Sequence, residues 1–286
     1  MPSVFDLAGR VYETAALQAS FKKLDPSTPR DYRELAVILV NYWRQHDYKV
    51  IGLGGGQGAG KSTLSELIKL AAEDVDECVV TLALDDFYLT KDEREQLAED
   101  QHELFVTRGP PGTHDITWLL RSMDEIAAER SVVIPQFDKG LDERVRSIET
   151  GPRCDRLLIE GWCVGATSQP ESELKDPVNE LERDRDPQRV WRSAVNGFLA
   201  GSYSQLIDRL DCFVFLRVPG IDSVEKWRLQ QEQAIAPDRR KNAEWVSEFV
   251  QFYQRITEWM LDDALNRANV VVELDSNHRV SGLTID

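Results

Sequence analysis

Apolar residues recur at helical spacing in two stretches near the start of the chain. Val4, Leu7, Val11 and Ala15 share one face over 4–17, and Tyr32, Leu35, Leu39 and Tyr42 share another over 31–45. Between them, Asp25-Pro26-Ser27-Thr28-Pro29 is turn material. From Tyr48 the pattern changes to short runs that are apolar on both faces. These are Val50–Leu53, Cys78–Leu84, Ser131–Pro135, Leu157–Ile159, Cys212–Leu216 and Val270–Leu274. Amphipathic stretches over 62–72, 115–129, 188–210, 223–235 and 241–265 predict helices between and after them. Doubly apolar strands alternating with helices predict a three-layer α/β domain around a mostly parallel sheet. The expected organisation is a helical extension over 1–47 and one domain over 48–286. Residues 168–189 are polar and carry three prolines, which predicts a surface excursion or lid.

Composition narrows the function classes. A chain of 286 residues with 42% hydrophobic and 29% charged residues has enough apolar material for a core without metal or disulfide staples. Its four cysteines form no C-x-x-C pair, so they read as reduced thiols of a cytoplasmic protein. No apolar run is long enough to cross a membrane, and the first residues lack the pattern of a secretory leader. A net charge of −16 argues against a nucleic-acid partner, which calls for a basic face. Any anionic ligand must therefore be drawn in by a local cluster of basic residues.

The strongest chemical signal is Gly55-Gly56-Gln57-Gly58-Ala59-Gly60-Lys61-Ser62, followed by Thr63. It fits G-x-x-x-x-G-K-[ST], with a predicted strand before it and an amphipathic helix after it. Glycines let backbone N–H groups turn inward on phosphates, and the helix from Ser62 adds the positive end of its dipole. Lys61 is expected to neutralise the outer phosphates of ATP, and the Ser62 hydroxyl to hold Mg²⁺.

Two predicted strands end in acids, where open α/β sheets bind ligands. Asp85 and Asp86 follow Val80–Leu84, and Glu160 follows Leu157–Ile159. An acid at such a position can hold Mg²⁺ or accept the proton of an attacking hydroxyl. Asp86 is assigned a capping or supporting role. No Asn-Lys dipeptide exists to read guanine, and Gly161 rather than a second acid follows Glu160. The first absence argues against a GTPase, and the second favours an alcohol acceptor over water.

Leu84-Asp85-Asp86-Phe87-Tyr88 is similar to the strand-2 segment of the phosphoribulokinase/uridine kinase family. A closer resemblance, to D-glycerate 3-kinases, rests on four further segments: Arg108-Gly109-Pro110-Pro111-Gly112-Thr113-His114-Asp115, Phe137-Asp138-Lys139, Glu160-Gly161-Trp162 and Trp227-Arg228-Leu229-Gln230-Gln231-Glu232. Where such kinases often read F-D-K-S and then G-D-R, this chain has Phe137-Asp138-Lys139-Gly140-Leu141-Asp142-Glu143-Arg144. The resemblance covers roughly 48–275 and implies a P-loop NTPase fold and transfer of a phosphoryl group from ATP to D-glycerate; a kinase of the same family for a nucleoside, pantothenate or a sugar phosphate, and an ATP-binding regulator without turnover, stay open as alternatives. It implies Asp85 as base, Ser62 and Glu160 as metal ligands, and Arg228 as a lid residue over the transferred group. Arg108, His114, Lys139 and Arg144 are the expected acceptor contacts, with Arg108 or Arg144 clamping the carboxylate. Asp115 is expected to cap the next helix, and Trp227 and Trp245 to lie in the core.

Overall fold

The computed structural model describes residues 14–233 and 240–286. Helices α1 (Ala15–Leu24) and α2 (Arg30–His46) lead into strand β1 (Val50–Gly55) and helix α3 (Lys61–Glu73). Then come β2 (Val79–Ala83), α4 (Lys91–Asp100), α5 (Ile116–Ala127), β3 (Val133–Asp138), β4 (Glu143–Glu149) and β5 (Arg156–Gly161). The second half holds α6 (Glu180–Arg185), α7 (Val190–Phe198), α8 (Ser204–Ile207) and β6 (Cys212–Arg217). It closes with α9 (Ile221–Gln233), α10 (Ala243–Asp263), β7 (Val270–Leu274) and β8 (Val280–Ile285).

The main sheet runs β2-β5-β1-β6-β7-β8, with every pair parallel except β7–β8. Side chains alternate between its faces, as the strand repeat requires. Leu157 and Ile159 of β5 and Phe213 and Phe215 of β6 face one core. Leu158, Val214 and Leu216 face the other, together with Ile51 and Leu53 of β1. On the first face β1 offers Gly52 and Gly54. A Cβ on Gly54 would stand 2.0 Å from the Val164 carbonyl, so only glycine lets the segment after β5 cross so close to the sheet.

Several expectations need correction. The run at Ser131–Pro135 does form a strand, but β3 leaves the main sheet and pairs only with β4 as a separate antiparallel hairpin. Its outer face explains this: Val133 is half exposed, and the partner strand is polar, so the run has one buried face instead of two. The antiparallel strand β8 extends the sheet beyond the expected last strand. The helix expected over 188–210 is interrupted by a wider turn at Leu199–Tyr203. Residues 4–13 of the first expected helix lie outside the described residues, and α1 starts at Ala15, capped by the Thr14 hydroxyl.

The leading helices share the core of the sheet. Leu35, Leu39 and Trp43 of α2 pack in one cluster with Leu64, Leu67 and Ile68 of α3 and with Ile51 and Leu53. The segment 168–189 is tied down by buried ion pairs. Both Glu182 oxygens accept from Arg255 of α10, at 2.7 and 2.6 Å, and Asp186 pairs with Arg192 at 2.9 Å. Among the described residues no helix is long and apolar enough to cross a membrane.

Candidate active site

Strand register brings the chemistry to one edge. Ala83 and Leu53 both stand opposite Glu160, so the ends of β2, β5 and β1 finish side by side. Asp85, Glu160 and the glycine loop thus meet at the carboxyl ends of three parallel strands. They line a cleft of about 1530 Å³.

The loop is held from two sides. Gly60 sits at φ +81° as the residue before α3, a left-handed conformation that glycine adopts without strain. The Tyr32 ring of α2 lies against it, 3.0 Å from where a Cβ would stand, and the Tyr32 hydroxyl donates to the Ala59 carbonyl at 2.8 Å. Burial pushes the Tyr32 phenol well up, so it keeps its proton as the donor. On the other flank Trp227 stacks on His278 of the β7–β8 turn at 4.0 Å. Lys61 is buried and donates to the Gly55 and Gly56 carbonyls at 2.9 and 3.1 Å. Burial lowers its pKa, against the pull of Glu160 and Asp85.

Ser62 donates to Glu160 at 2.8 Å. Burial raises the Glu160 carboxyl, with Lys61 working in the opposite sense. A hydroxyl at the start of α3 and a carboxylate at the end of β5 are hard oxygen donors, and Mg²⁺ takes few protein ligands beside water and phosphate oxygens. This pair fits that ion. Among the described residues no group of three or more His, Cys, Asp or Glu forms an all-protein cage.

Asp85 accepts from the Tyr88 hydroxyl at 2.9 Å and from Lys139 at 2.6 Å. Burial works against its ionisation, but Lys139 outweighs it and holds the carboxyl down to about 2. Asp86 turns the other way, accepts the Phe137 N–H of the hairpin at 3.1 Å, and is raised by burial. The two neighbouring acids are therefore separated by environment: one faces the cleft and one fixes the hairpin.

The Arg108–Asp115 segment is a rigid turn. Thr113 accepts from the Gly109 N–H at 2.9 Å, Trp162 donates to the Gly109 carbonyl at 3.0 Å, and Tyr253 donates to the Arg108 carbonyl at 3.0 Å. Asp115 caps α5 by accepting from Trp118 N–H at 2.9 Å. Arg108 lines the cleft, ion-paired with Asp142 and donating to the Lys139 carbonyl at 3.0 Å. Arg228 also lines it, paired with Glu232.

Two expected acceptor contacts do not reach the cleft wall. His114 is buried behind Tyr88, stacked at 4.5 Å, with Nδ1 on the Tyr203 hydroxyl and Nε2 without a partner. Burial pulls its pKa down to about 4. Arg144 donates to the Tyr88 carbonyl at 2.9 Å and stacks over Trp118 at 5.3 Å, on the outer side of the same turn. Trp227 is buried as expected, but Trp245 stacks on Phe249 and forms part of the cleft rim.

Other cleft residues carried no local signal. Tyr32 looks like an ordinary apolar position of an amphipathic helix, and only packing brings it under the loop. Asp142 sits at φ +58° in the turn between β3 and β4, and only the pairing of those strands brings it to the cleft.

No family model matches the chain. Over 219 residues, 71% of this chain and 78% of the relative, it is 32% identical to the uncharacterised kinase mug58 of Schizosaccharomyces pombe. It is 26% identical over 220 residues to the chloroplastic D-glycerate 3-kinase of Arabidopsis thaliana, of whose length it spans 46%. Among solved structures, the YGR205w protein superposes with a TM-score of 0.70 at 24% identity, over 95% of this chain and 98% of that one. A D-glycerate 3-kinase from Cryptococcus neoformans gives 0.70 at 23% identity, over 95% and 99%. The structural likenesses carry the fold.

Proposed function

The chain belongs to the P-loop kinases related to D-glycerate 3-kinase and uridine kinase, and we propose that it transfers the γ-phosphoryl group of ATP to D-glycerate. The products are 3-phosphoglycerate and ADP. The observation that carries the glycerate reading is the Lys139 ammonium, which stands with Arg108 on the same cleft wall as Asp85 and, unlike Arg108, keeps donors clear of its acidic partner, in a protein of net charge −16. A short anionic acceptor needs that local cluster, and a neutral one does not.

In this reading the loop amides and Lys61 bind the β- and γ-phosphates, and Arg228 neutralises charge building on the transferred group. Ser62 and Glu160 hold Mg²⁺, which when bound offsets charge on the phosphate oxygens. Asp85 accepts the proton of the attacking hydroxyl, oriented by the Tyr88 hydroxyl on its other oxygen. His114 and Arg144 support the turn and the hairpin from behind. Four free cysteines are in keeping with a cytoplasmic enzyme.

The test is ADP release across an acceptor panel of D-glycerate, glyceramide, glycerol and uridine, with Lys61→Ala as control. Removing that buried cation should cost about 100-fold or more in kcat. Turnover of glycerate at a kcat/KM well above the neutral acceptors supports the reading. Relatives described as a uridine kinase and a uridine-cytidine kinase-like protein favour a nucleoside as second reading. Preference for uridine would select it.

A further inference from the structure

A carboxylate acceptor needs a cation that reaches it beside the base, and the cleft has several to choose from. Arg108 has its guanidinium engaged on two sides, by the Asp142 carboxylate and the Lys139 carbonyl, and its face rests on Phe137 at 5.7 Å. Asp142 is itself pinned by Arg94, whose side chain is fully buried and also donates to the Leu89 carbonyl at 2.8 Å. The Arg94–Asp142–Arg108 chain therefore reads as a brace for the hairpin tip. Arg228 is occupied by Glu232 and stands on α9, and Arg144 lies outside the cleft wall.

Lys139 is built differently. Its ammonium donates to Asp85 Oδ2 at 2.6 Å, and its side chain keeps 60% exposure into the cleft. An ammonium has three donors and this contact uses one. The Asp85 carboxylate has spare acceptor capacity on both oxygens, since each carries a single partner.

We infer that Lys139 is the residue that selects the acceptor: it binds the acceptor's carboxylate while its contact with Asp85 sets that carboxylate at a fixed distance from the hydroxyl to be phosphorylated. This rests on the kinase reading above and names what the site measures. Hydrogen bonds of about 2.7–2.9 Å on either side of the Lys139–Asp85 contact leave the hydroxyl and carboxylate oxygens roughly 5 Å apart. That spacing suits short hydroxy acids whose carboxylate carbon lies two carbons from the reacting hydroxyl oxygen's carbon. A longer acid overshoots the ammonium, and a neutral polyol gains nothing from it. A carboxylate on Lys139 also shares the ammonium with Asp85 and loosens its hold on the base. Acceptor binding and base activation are then coupled through one side chain.

The experiment compares D-glycerate, glycerol and 3,4-dihydroxybutanoate in wild type, Lys139→Met, Lys139→Arg and Arg108→Gln, measuring kcat and KM for each acceptor and for ATP. Lys139→Met should raise the glycerate KM about tenfold or more, an energy of about 1.4 kcal/mol. It should erase the preference of glycerate over glycerol and leave the ATP KM within about twofold. Lys139→Arg keeps the charge and should restore part of the preference. Retention of the wild-type preference in Lys139→Met, or a larger loss of it in Arg108→Gln, overturns the inference while the kinase reading stands. A wild type that prefers glycerol or uridine overturns the glycerate reading, and the inference falls with it.

Discussion

Tyr32 joins the leading helices to the phosphate loop through one hydroxyl, and Tyr32→Phe removes that hydroxyl alone. The ring would still fill the space beneath Gly60, so no cavity forms and the core of α2 and α3 is retained. What is lost is the 2.8 Å bond to the Ala59 carbonyl, in a place where both residues are buried. Leaving a buried carbonyl without its partner costs about 1–3 kcal/mol of stability. The bond's net worth of about 0.5–1.5 kcal/mol also holds the loop in the shape that receives phosphates. Loss of that hold corresponds to a rise in the ATP KM of about 2- to 10-fold, with the glycerate KM nearly unchanged. Tyr32→Ala adds the loss of the ring and should destabilise by about 3–5 kcal/mol, as for other buried aromatics. Urea unfolding gives the stability change, and coupled ADP release gives both KM values. An ATP KM equal to wild type in Tyr32→Phe would falsify the claim that α2 sets the loop, whatever the stability shows.

Asp85→Asn should lower kcat by about 100- to 10,000-fold with a modest change in the ATP KM, because an amide cannot accept the proton. Asp86→Asn should be milder, since Asp86 accepts a backbone N–H of the hairpin, and the reverse order in matched kinetics would exchange their roles. Glu182→Ala leaves Arg255 buried without its carboxylate and should cost about 3–5 kcal/mol in chemical unfolding, while kcat per folded molecule holds; a loss of kcat at full stability would instead make the 168–189 segment part of the catalytic cycle. His114 is held neutral by burial at a pKa of about 4, against a usual value of 6.5. The unfolded chain therefore binds a proton that the folded one refuses. This lowers stability as pH falls from 6.5 to 4, by on the order of 3 kcal/mol in all. The difference between wild type and His114→Gln should show that slope in this window, and its absence would mean that the imidazole is free to charge.

The elements whose signals are local were legible without tertiary structure. The glycine loop, the strands flanking it and the helix after it declare themselves within a few neighbouring residues, because phosphate binding uses backbone amides whose geometry depends on nearby glycines. Doubly buried strands likewise carry their apolar pattern on their own residues, which made the central parallel sheet readable. Position across the chain was another matter. Asp85 and Asp86 are adjacent and chemically identical, and only the hairpin packed over them turns one to the cleft and the other to a backbone amide. Val133 and Ile134 looked like a sheet strand, but burial on one face alone sent that run into a hairpin, and the hairpin put Lys139 on Asp85. Arg108 and Arg144 had equal claims as cations between strands. Tertiary packing gave Arg108 to Asp142 in the cleft and stacked Arg144 on Trp118 outside it. Tyr32 had no claim at all until α2 folded against α3. The sequence determined which chemistry the chain carries, because residue type and local spacing suffice for that. Which side chain holds which charge is decided by contacts between residues 27 to 54 positions apart, as with Tyr32 and Ala59 or Asp85 and Lys139, and such contacts exist only once the core has closed.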